Sequence, residues 1–506
     1  MSKLFNQVSF SKPKRNLFDL SHEKKLSMKF GDLVPVLLQE VVPGDSFNVN
    51  TESLLRLAPM VAPVMHRCNA YIHYFFVPNR LVWEGWETFI TGGEDGKQTA
   101  STPECYLFGD DYTLLNKGTL ADYMGIPTAP QSTISTATGI SALPFRAYQL
   151  IYNEYYRDQN LVQKVPLLKT SGQLTEGEKI AVMTLRRRAY EKDYFTSCLP
   201  WSQRGDEVLL PNDIVSSTTE ATEAFTIPGG GVPANAPLSI DAGKVSNGTT
   251  YVNLQTADQV QITINDLRRS ARLQEFLEKT ARGGSRLTEV IRSFFGVTSS
   301  DARLQRPEFL GGGKQPITIS EVLSTFNNET VPGGEMYGHG ISVGNTNRFK
   351  KFFEEHGFII GIMSVLPRTA YQQGIPKQFM RFDKFDYYWP TFAQLGEEEV
   401  KNYELFHDYT SVPDDTEFGY QSRYASYKFA QSTVHGDFKD SLSHWHMGRI
   451  FFNKPMLNEL FITCIPNSTT INRVFADTTD NDKIYVQLYN NVKAMRPMPY
   501  FNNPIL

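Results

Sequence analysis

Between Pro63 and Pro78 the chain holds no glycine and no further proline, and Val, Ile, Tyr and Phe dominate it. That pattern predicts a strand bounded by residues that cannot continue a ladder. One face would carry Val64, His66, Cys68, Ala70, Ile72, Tyr74 and Phe76; the other would carry Met65, Arg67, Asn69, Tyr71, His73, Phe75 and Val77. Both faces are largely apolar, so the strand is expected between two layers, either two sheets or a sheet and covering loops. Trp83 and Trp86 follow at once and need a large partner surface. Leu33 to Val42 reads as another strand, ended by the turn Pro43-Gly44-Asp45, after which Phe47 and Val49 alternate with polar residues. Phe358 to Leu366 reads as a buried strand, Met380 to Trp389 as an aromatic-rich one, and Met447 to Phe452 and Leu457 to Ile465 as closing strands. From Met495 the tail is expected to lie extended over a neighbour or an inner wall.

The middle of the chain changes period. Tyr148 to Tyr156 and Glu178 to Tyr190 are helical candidates, and Arg186-Arg187-Arg188 reads as a solvated helix face more readily than as an anion site or a subunit contact. Residues 211–264 are built from Ser, Thr, Ala, Gly, Pro and Asn; they cannot bury much and form a surface insertion, with short alternations such as Val252/Leu254 that suit a small hairpin. A loop of this length in a compact domain is usually functional. Residues 265–296 form a helical insertion: Leu273, Phe276, Leu277, Thr280 and Ala281 make one stripe stopped by Gly283, and Leu287, Val290, Ile291, Phe294 and Phe295 make a second, capped by Ser285 and stopped by Gly296. Strands at both ends with helices between them predict one sandwich, residues 1–506, completed by both termini and interrupted by insertions.

Composition narrows this further. The chain has 506 residues, 41% hydrophobic, with 34 Phe and 24 Tyr, an all-β profile with long loops. Lys plus Arg number 50 against 54 Asp plus Glu, a net charge of −4, so the whole is no polycation. Residues 1–25 nevertheless form a basic N-terminal arm in which Lys12, Lys14 and Arg15 are the candidate DNA contacts; such an arm can equally clasp a neighbouring subunit. The four cysteines, Cys68, Cys105, Cys198 and Cys464, are far apart and read as buried free thiols of a reducing compartment. The N-terminus lacks the apolar core of a secretory signal, and no apolar run has membrane-spanning length, so a protein made in cytosol or released by lysis, without membrane insertion, is expected.

A catalytic or metal-binding reading fails on spacing. His444-Trp445-His446 puts two imidazoles on one strand face, but Ile450 stands where a further ligand would be needed. Asp477, Asp480 and Asp482 lack the glycine and terminal glutamate of a calcium loop. Gly311-Gly312-Gly313-Lys314 and Gly338-x-Gly340 lack the context of phosphate loops and read as turns. No catalytic residue, cofactor or metal ligand is assigned, and the chain does not read as an enzyme.

The segments APMVAPVMHR, HYFFVPNRL, WEGWETFITGG, DLVPVLLQEVVPGDSFNVN (Asp32 to Asn50), YFTSCLPWSQRG (Tyr194 to Gly205), SDARLQRPEFLGG (Ser300 to Gly312) and FDYYWPTFAQLGEEEV (Phe385 to Val400) span nearly the whole chain. Together they resemble the major capsid proteins of microviruses, the small circular single-stranded DNA bacteriophages, and their gokushovirus branch above all. The resemblance implies a mainly β fold, an eight-stranded antiparallel jelly-roll sandwich with long loop insertions containing several helices. It also implies self-assembly into a T=1 icosahedral shell around single-stranded DNA, assembled in the host bacterial cytoplasm and ending as the virion capsid. In that family an insertion placed like 211–264 builds protrusions at the three-fold axes, used here for host attachment. Implied partners are further copies of the chain, the packaged DNA, a small basic DNA-packaging protein, a DNA pilot protein, an internal scaffolding protein and a host receptor. A carbohydrate-binding or carbohydrate-cleaving β sandwich is the alternative, distinguished by running as a small oligomer.

Overall fold

The computed structural model describes residues 14–129, 132–205, 239–241, 244–246, 251–253, 264–284, 286–323, 336–410, 412–467 and 469–501. They fall into two compact units, Gln203–Arg282 and the remainder, Met1–Ser202 with Gly283–Leu506.

The larger unit is organised by nine strands: β1 (Asn16–Asp19), β2 (His22–Met28), β3 (Val34–Val41), β4 (Ser46–Leu57), β5 (Cys68–Pro78), β6 (Glu308–Leu323), β7 (Met336–Phe352), β8 (Gly357–Pro367) and β9 (Ile484–Arg496). Shorter elements are named below by their residues. All neighbours are antiparallel, in the order β1–β9–β4–β7–β6–β5–β8–β3, with β2 also on β9. β1 and β2 lie end to end along β9, Asn16 facing Arg496 and Met28 facing Ile484, so the nine strands fill eight ladder positions. β6 is long enough to serve two partners: Glu308 to Ile317 pair with β5, and Thr318 to Leu323 pair with β7. Through β6 the sheet curls, and its halves, β1/β2–β9–β4–β7 and β6–β5–β8–β3, meet face to face. This is the jelly-roll arrangement, in which first and last strands are neighbours.

The inner faces of both halves supply one apolar core. Phe47, Val49, Leu55, Ile484, Val486 and Leu488 come from one half, and Val34, Val36, Cys68, Ile72, Tyr74, Ile359 and Met363 from the other. Polar links also cross it: the Tyr74 hydroxyl donates to Thr51 Oγ1, Ser53 donates to Gln315 Oε1 at 2.9 Å, and Asn490 Nδ2 donates to the Val36 carbonyl at 3.2 Å. The outer face of β5 is covered as well, because Phe75 and Val77 pack into a second cluster with Val82, Trp83, Phe145, Tyr148 and Ile151. That layer holds α1 (Leu143–Ile151), which runs on into a π-turn at Tyr152–Tyr156, and α2 (Glu176–Met183). Trp83 is fully buried there and donates to Ser171 Oγ at 2.8 Å. Both apolar faces of the central strand are therefore spent, as its sequence requires.

Several sequence expectations need correction. Met447–Phe452 and Leu457–Ile465 are not closing strands; the second holds the short helix Glu459–Ile462. The closing strand is β9, whose alternation is hidden in the sequence by a polar residue on its inward face. Asn490 is fully buried, accepting from Thr51 Oγ1 at 2.9 Å, with partners on two strands hundreds of positions away. Ordered structure in the tail accordingly continues to Arg496 before the irregular end. The glycine run Gly311-Gly312-Gly313 lies inside β6 instead of a turn. A bulge occurs between Phe309 and Gly311, and a Cβ on Gly312 would stand 2.4 Å from the Ile72 carbonyl oxygen, so close strand approach is what the small residue serves. Gly338 and Gly340 are likewise strand residues of β7.

The segment 1–25 includes β1 and the start of β2, both ladder-bound to β9; residues 1–13 lie outside the described structure. In the smaller unit, Ser239–Asp241, Lys244–Ser246 and Tyr251–Asn253 form a three-stranded antiparallel sheet inside the 211–264 insertion, and α3 spans Ile264–Gly283. In the larger unit, α4 (Leu287–Phe295) ends at Gly296 in the left-handed conformation, φ 69°. The expected cap Ser285 lies outside the described residues; Glu289 Oε2 instead accepts the Arg286 backbone N–H at 3.1 Å.

Candidate functional site

The chain between β8 and β9 is a large excursion that carries a two-stranded antiparallel sheet, Glu397–Lys401 on Glu417–Ser422, and its own small core. Tyr194, Phe195, Tyr371, Phe418 and Phe461 pack together, with ring centroids 4.9 Å apart for Phe195–Tyr371 and 5.1 Å for Phe418–Phe461. Asp193 pins the start of the excursion, accepting from the Tyr371 hydroxyl at 2.7 Å and from the Thr369 hydroxyl. Tyr194 donates to Glu404 Oε2 at 2.8 Å, and burial raises the Glu404 carboxyl above its ordinary range. The sequence blocks beginning at Tyr194 and ending at Val400, remote in the chain, thus meet beneath one surface.

That surface is aromatic and faces outward. Phe379, Phe382, Phe385, Tyr387, Tyr388 and Trp389 are all exposed, Phe382 by 84% and Phe379 by 66%. The sequence predicts a strand over Met380–Trp389; the structure has 3-10 turns at Lys377–Phe379, Lys384–Asp386 and Pro390–Phe392. The reason is local: Asp386 Oδ2 takes the backbone N–H of Phe382 at 2.9 Å and of Asp383 at 2.8 Å, which removes ladder donors. The Tyr and Trp side chains of this surface, with Arg381, are held in place. Arg381 stacks over Tyr427 at 4.1 Å, Tyr388 packs on Tyr424 at 4.9 Å, and Trp389 Nε1 donates to the Lys384 carbonyl at 2.8 Å. Fixed Trp, Tyr and Arg groups in one exposed area are what protein–protein contacts use, because little ordering entropy remains to be lost on docking.

Of the candidate DNA contacts, Lys12 lies outside the described residues. Lys14 and Arg15 are exposed where the chain enters β1, and the Arg15 guanidinium sits 5.0 Å from the Phe352 ring centre. The triplet Arg186-Arg187-Arg188 is not a solvated helix face, since α2 stops at Met183. Arg186 donates to Gln149 Oε1 at 2.9 Å, Arg187 reaches Asp32 at 3.2 Å, and Arg188 lies 4.2 Å over Tyr71 while donating to Ser364 Oγ at 2.9 Å. These arginines staple the covering layer onto the sandwich.

His444 and His446 do not share a strand face, because Ser443–Trp445 is a 3-10 turn. His446 is buried with both ring nitrogens engaged: the Gly448 N–H donates to Nδ1 at 2.9 Å, leaving Nε2 as donor to the Phe438 carbonyl at 2.7 Å. The acids of the 477–482 loop go to separate partners, Asp477 to Lys483 at 2.8 Å and Asp480 to Lys29 at 2.7 Å, while Asp482 accepts from Ser27. All four cysteines are buried and free, and burial pushes the Cys68 and Cys464 thiols up to about 12.

His73, on β5, carries a pH dependence. Burial, with the Arg188 cation nearby, lowers its pKa from 6.5 to about 4, and Nδ1 contacts the Tyr156 hydroxyl at 2.9 Å. The unfolded chain binds a proton below 6.5 that the folded one refuses until about 4, so this contribution to stability is complete above pH 6.5 and is lost as pH falls through that window. Melts at pH 7 and 4.5 are expected to differ by on the order of 2 kcal/mol less in His73→Gln than in the natural chain.

Comparison with known proteins completes the picture. A family described as capsid protein (F protein) matches residues 6–506. The chain is similar to the capsid protein VP1 of Chlamydia phage 1, 34% identical over 592 residues, covering 100% of this chain and 98% of that one. It is 34% identical over 532 residues to the capsid protein VP1 of Bdellovibrio phage phiMH2K, covering 99% and 97%. With the capsid protein VP1 of Spiroplasma virus 4 it shares 29% identity over 538 residues, covering 97% and 95%.

Proposed function

The chain belongs to the capsid protein (F protein) family, a structural component of the virion and not an enzyme, and from that premise we propose that it is the repeating subunit of a T=1 icosahedral shell around a circular single-stranded DNA genome. The observation that carries the assembly reading is the exposed, preorganised aromatic surface around Phe379–Trp389, whose occupant is another copy of the chain. Many weak copies of one contact saturate together in a closed shell. A net charge of −4 leaves most phosphate neutralisation to counterions or to a small basic DNA-packaging protein, with Lys12, Lys14 and Arg15 as the local contribution of the arm. A DNA pilot protein and an internal scaffolding protein are the further assembly partners by kinship. Among the described residues no helix is long and apolar enough to cross a membrane.

The test is expression with the sister phage proteins followed by size separation and electron microscopy. Uniform particles are expected; a small oligomer alone would sink the reading. The insertion 211–264 is read as an outward protrusion that engages a host receptor. Its excision, with the ends rejoined by a short Gly/Ser linker, is expected to leave the sandwich melting within about 1 kcal/mol of the full chain while host adsorption falls at least tenfold. Failure of the shortened chain to fold would remove the protrusion reading.

A further inference from the structure

Next to the β5–β8 edge lies a half-open cavity of 360 Å³ lined by residues from 65–67, 368–370 and 432–446. The pairing of β5 with β8 ends at Cys68 and Pro367, and the chain continues it by one more bond, Arg368 N–H donating to the Arg67 carbonyl at 2.9 Å. That extra rung sets two exposed arginines side by side on the rim. Neither side chain has an ion pair, hydrogen bond or ring partner among the described residues, and no aspartate or glutamate lines the cavity; Glu321 borders Arg67 only in the adjoining groove. By contrast, the lysine-bearing cleft near Lys24 cancels its own charge, with Lys29 on Asp480 at 2.7 Å and Arg187 on Asp32 at 3.2 Å.

The rest of the cavity mixes apolar surface with hydroxyls and the imidazoles of His66, His435 and His446. Met65, Ala370, Val434 and Phe438 supply flat and aliphatic surface, and Ser432 and Thr433 supply hydroxyls. Its walls are fixed: Tyr371 N–H donates to the Ser432 carbonyl at 2.9 Å, and the Phe438 carbonyl is held by the buried His446 at 2.7 Å. Two unpaired guanidinium forks suit one phosphate, and a slot of this size beside an aromatic ring suits one base.

We propose that this cavity binds one nucleotide of single-stranded DNA, the phosphate between Arg67 and Arg368 and the base against Phe438 and Val434. The inference rests on the DNA-enclosing shell proposed above and deepens it. The experiment titrates a short oligothymidylate onto assembled particles opened in mild denaturant and onto the free subunit, following fluorescence anisotropy across salt concentrations. Arg67→Ala/Arg368→Ala is expected to weaken binding about tenfold or more and to flatten the logarithmic salt slope by about 0.7, one phosphate's share. Val434→Trp, which fills the slot and leaves the rim intact, is expected to weaken the oligothymidylate but not an abasic oligonucleotide of the same length. Particles that form normally while both variants bind like the natural chain would overturn the cavity and leave the shell standing; no particles from the natural chain would strike the shell itself. Inorganic phosphate competing as strongly as thymidine monophosphate would overturn the base slot. Both arginines are exposed and unpartnered, so the double variant is expected to melt like the natural chain, which makes its binding result readable.

Discussion

Phe379→Asp/Phe382→Asp is expected to yield a folded, soluble subunit that forms no particles. Both rings stand in solvent and have no aromatic partner among the described residues, so their loss should change the unfolding free energy by no more than about 0.5 kcal/mol each. At an interface the same change removes two anchors and places carboxylates where water is excluded. An anchor of this kind contributes about 2 kcal/mol or more, roughly a factor of 30 in association constant, and a closed shell repeats the loss at every copy. Sedimentation velocity reads the result directly: the natural chain in particles, the variant as a slow species with an unaltered melt. Particles of normal yield from the variant would place the subunit contact elsewhere.

Phe353→Ala tests the sandwich itself. Phe353 is buried immediately after β7, with its ring 4.7 Å from Phe76 on β5 and 5.9 Å from Phe47 on β4. Its backbone also closes the β3–β4 turn, donating to the Asp45 carbonyl at 2.8 Å and accepting from Gly44 at 2.9 Å. One side chain therefore bridges both halves of the curled sheet where they are joined to a turn. Truncation is expected to cost about 3–5 kcal/mol, against a total that for most proteins is about 5–15. Phe353→Leu, which keeps most of the volume, should cost less than about 2. Denaturant midpoints at unchanged slope measure both; a loss under about 1 kcal/mol for the alanine variant would mean that the halves are not held together there.

How much of this was legible depended on where each residue finds its partners. The central strand could be read because both of its faces are largely apolar from Cys68 to Pro78, and a run of that kind has no stable place but between two layers. The helices of 265–296 could be read from period and glycine stops, which are local properties. β9 could not, since Asn490 breaks its inward face and is tolerated only because Thr51 and Val36 satisfy it from afar. The aromatic surface was visible as composition but misread as strand. Asp383 and Asp386 had already signalled turns, yet whether those rings face inward or outward depends on the core beneath them, which Tyr194 and Phe461 supply from remote positions.

The sequence by itself determined the fold class, the family and the central strand, because hydrophobic period and long uncommon blocks are written along the chain. Tertiary structure alone decided that Arg186–Arg188 staple the covering layer to the sandwich, that Arg67 and Arg368 stand together on the rim of a cavity with no carboxylate in its lining among the described residues, and that Phe379 and Phe382 face solvent. Each of these is a statement about distance between residues far apart in order, and a linear pattern fixes the direction of a side chain only relative to its own element, not the surface or partner that waits there.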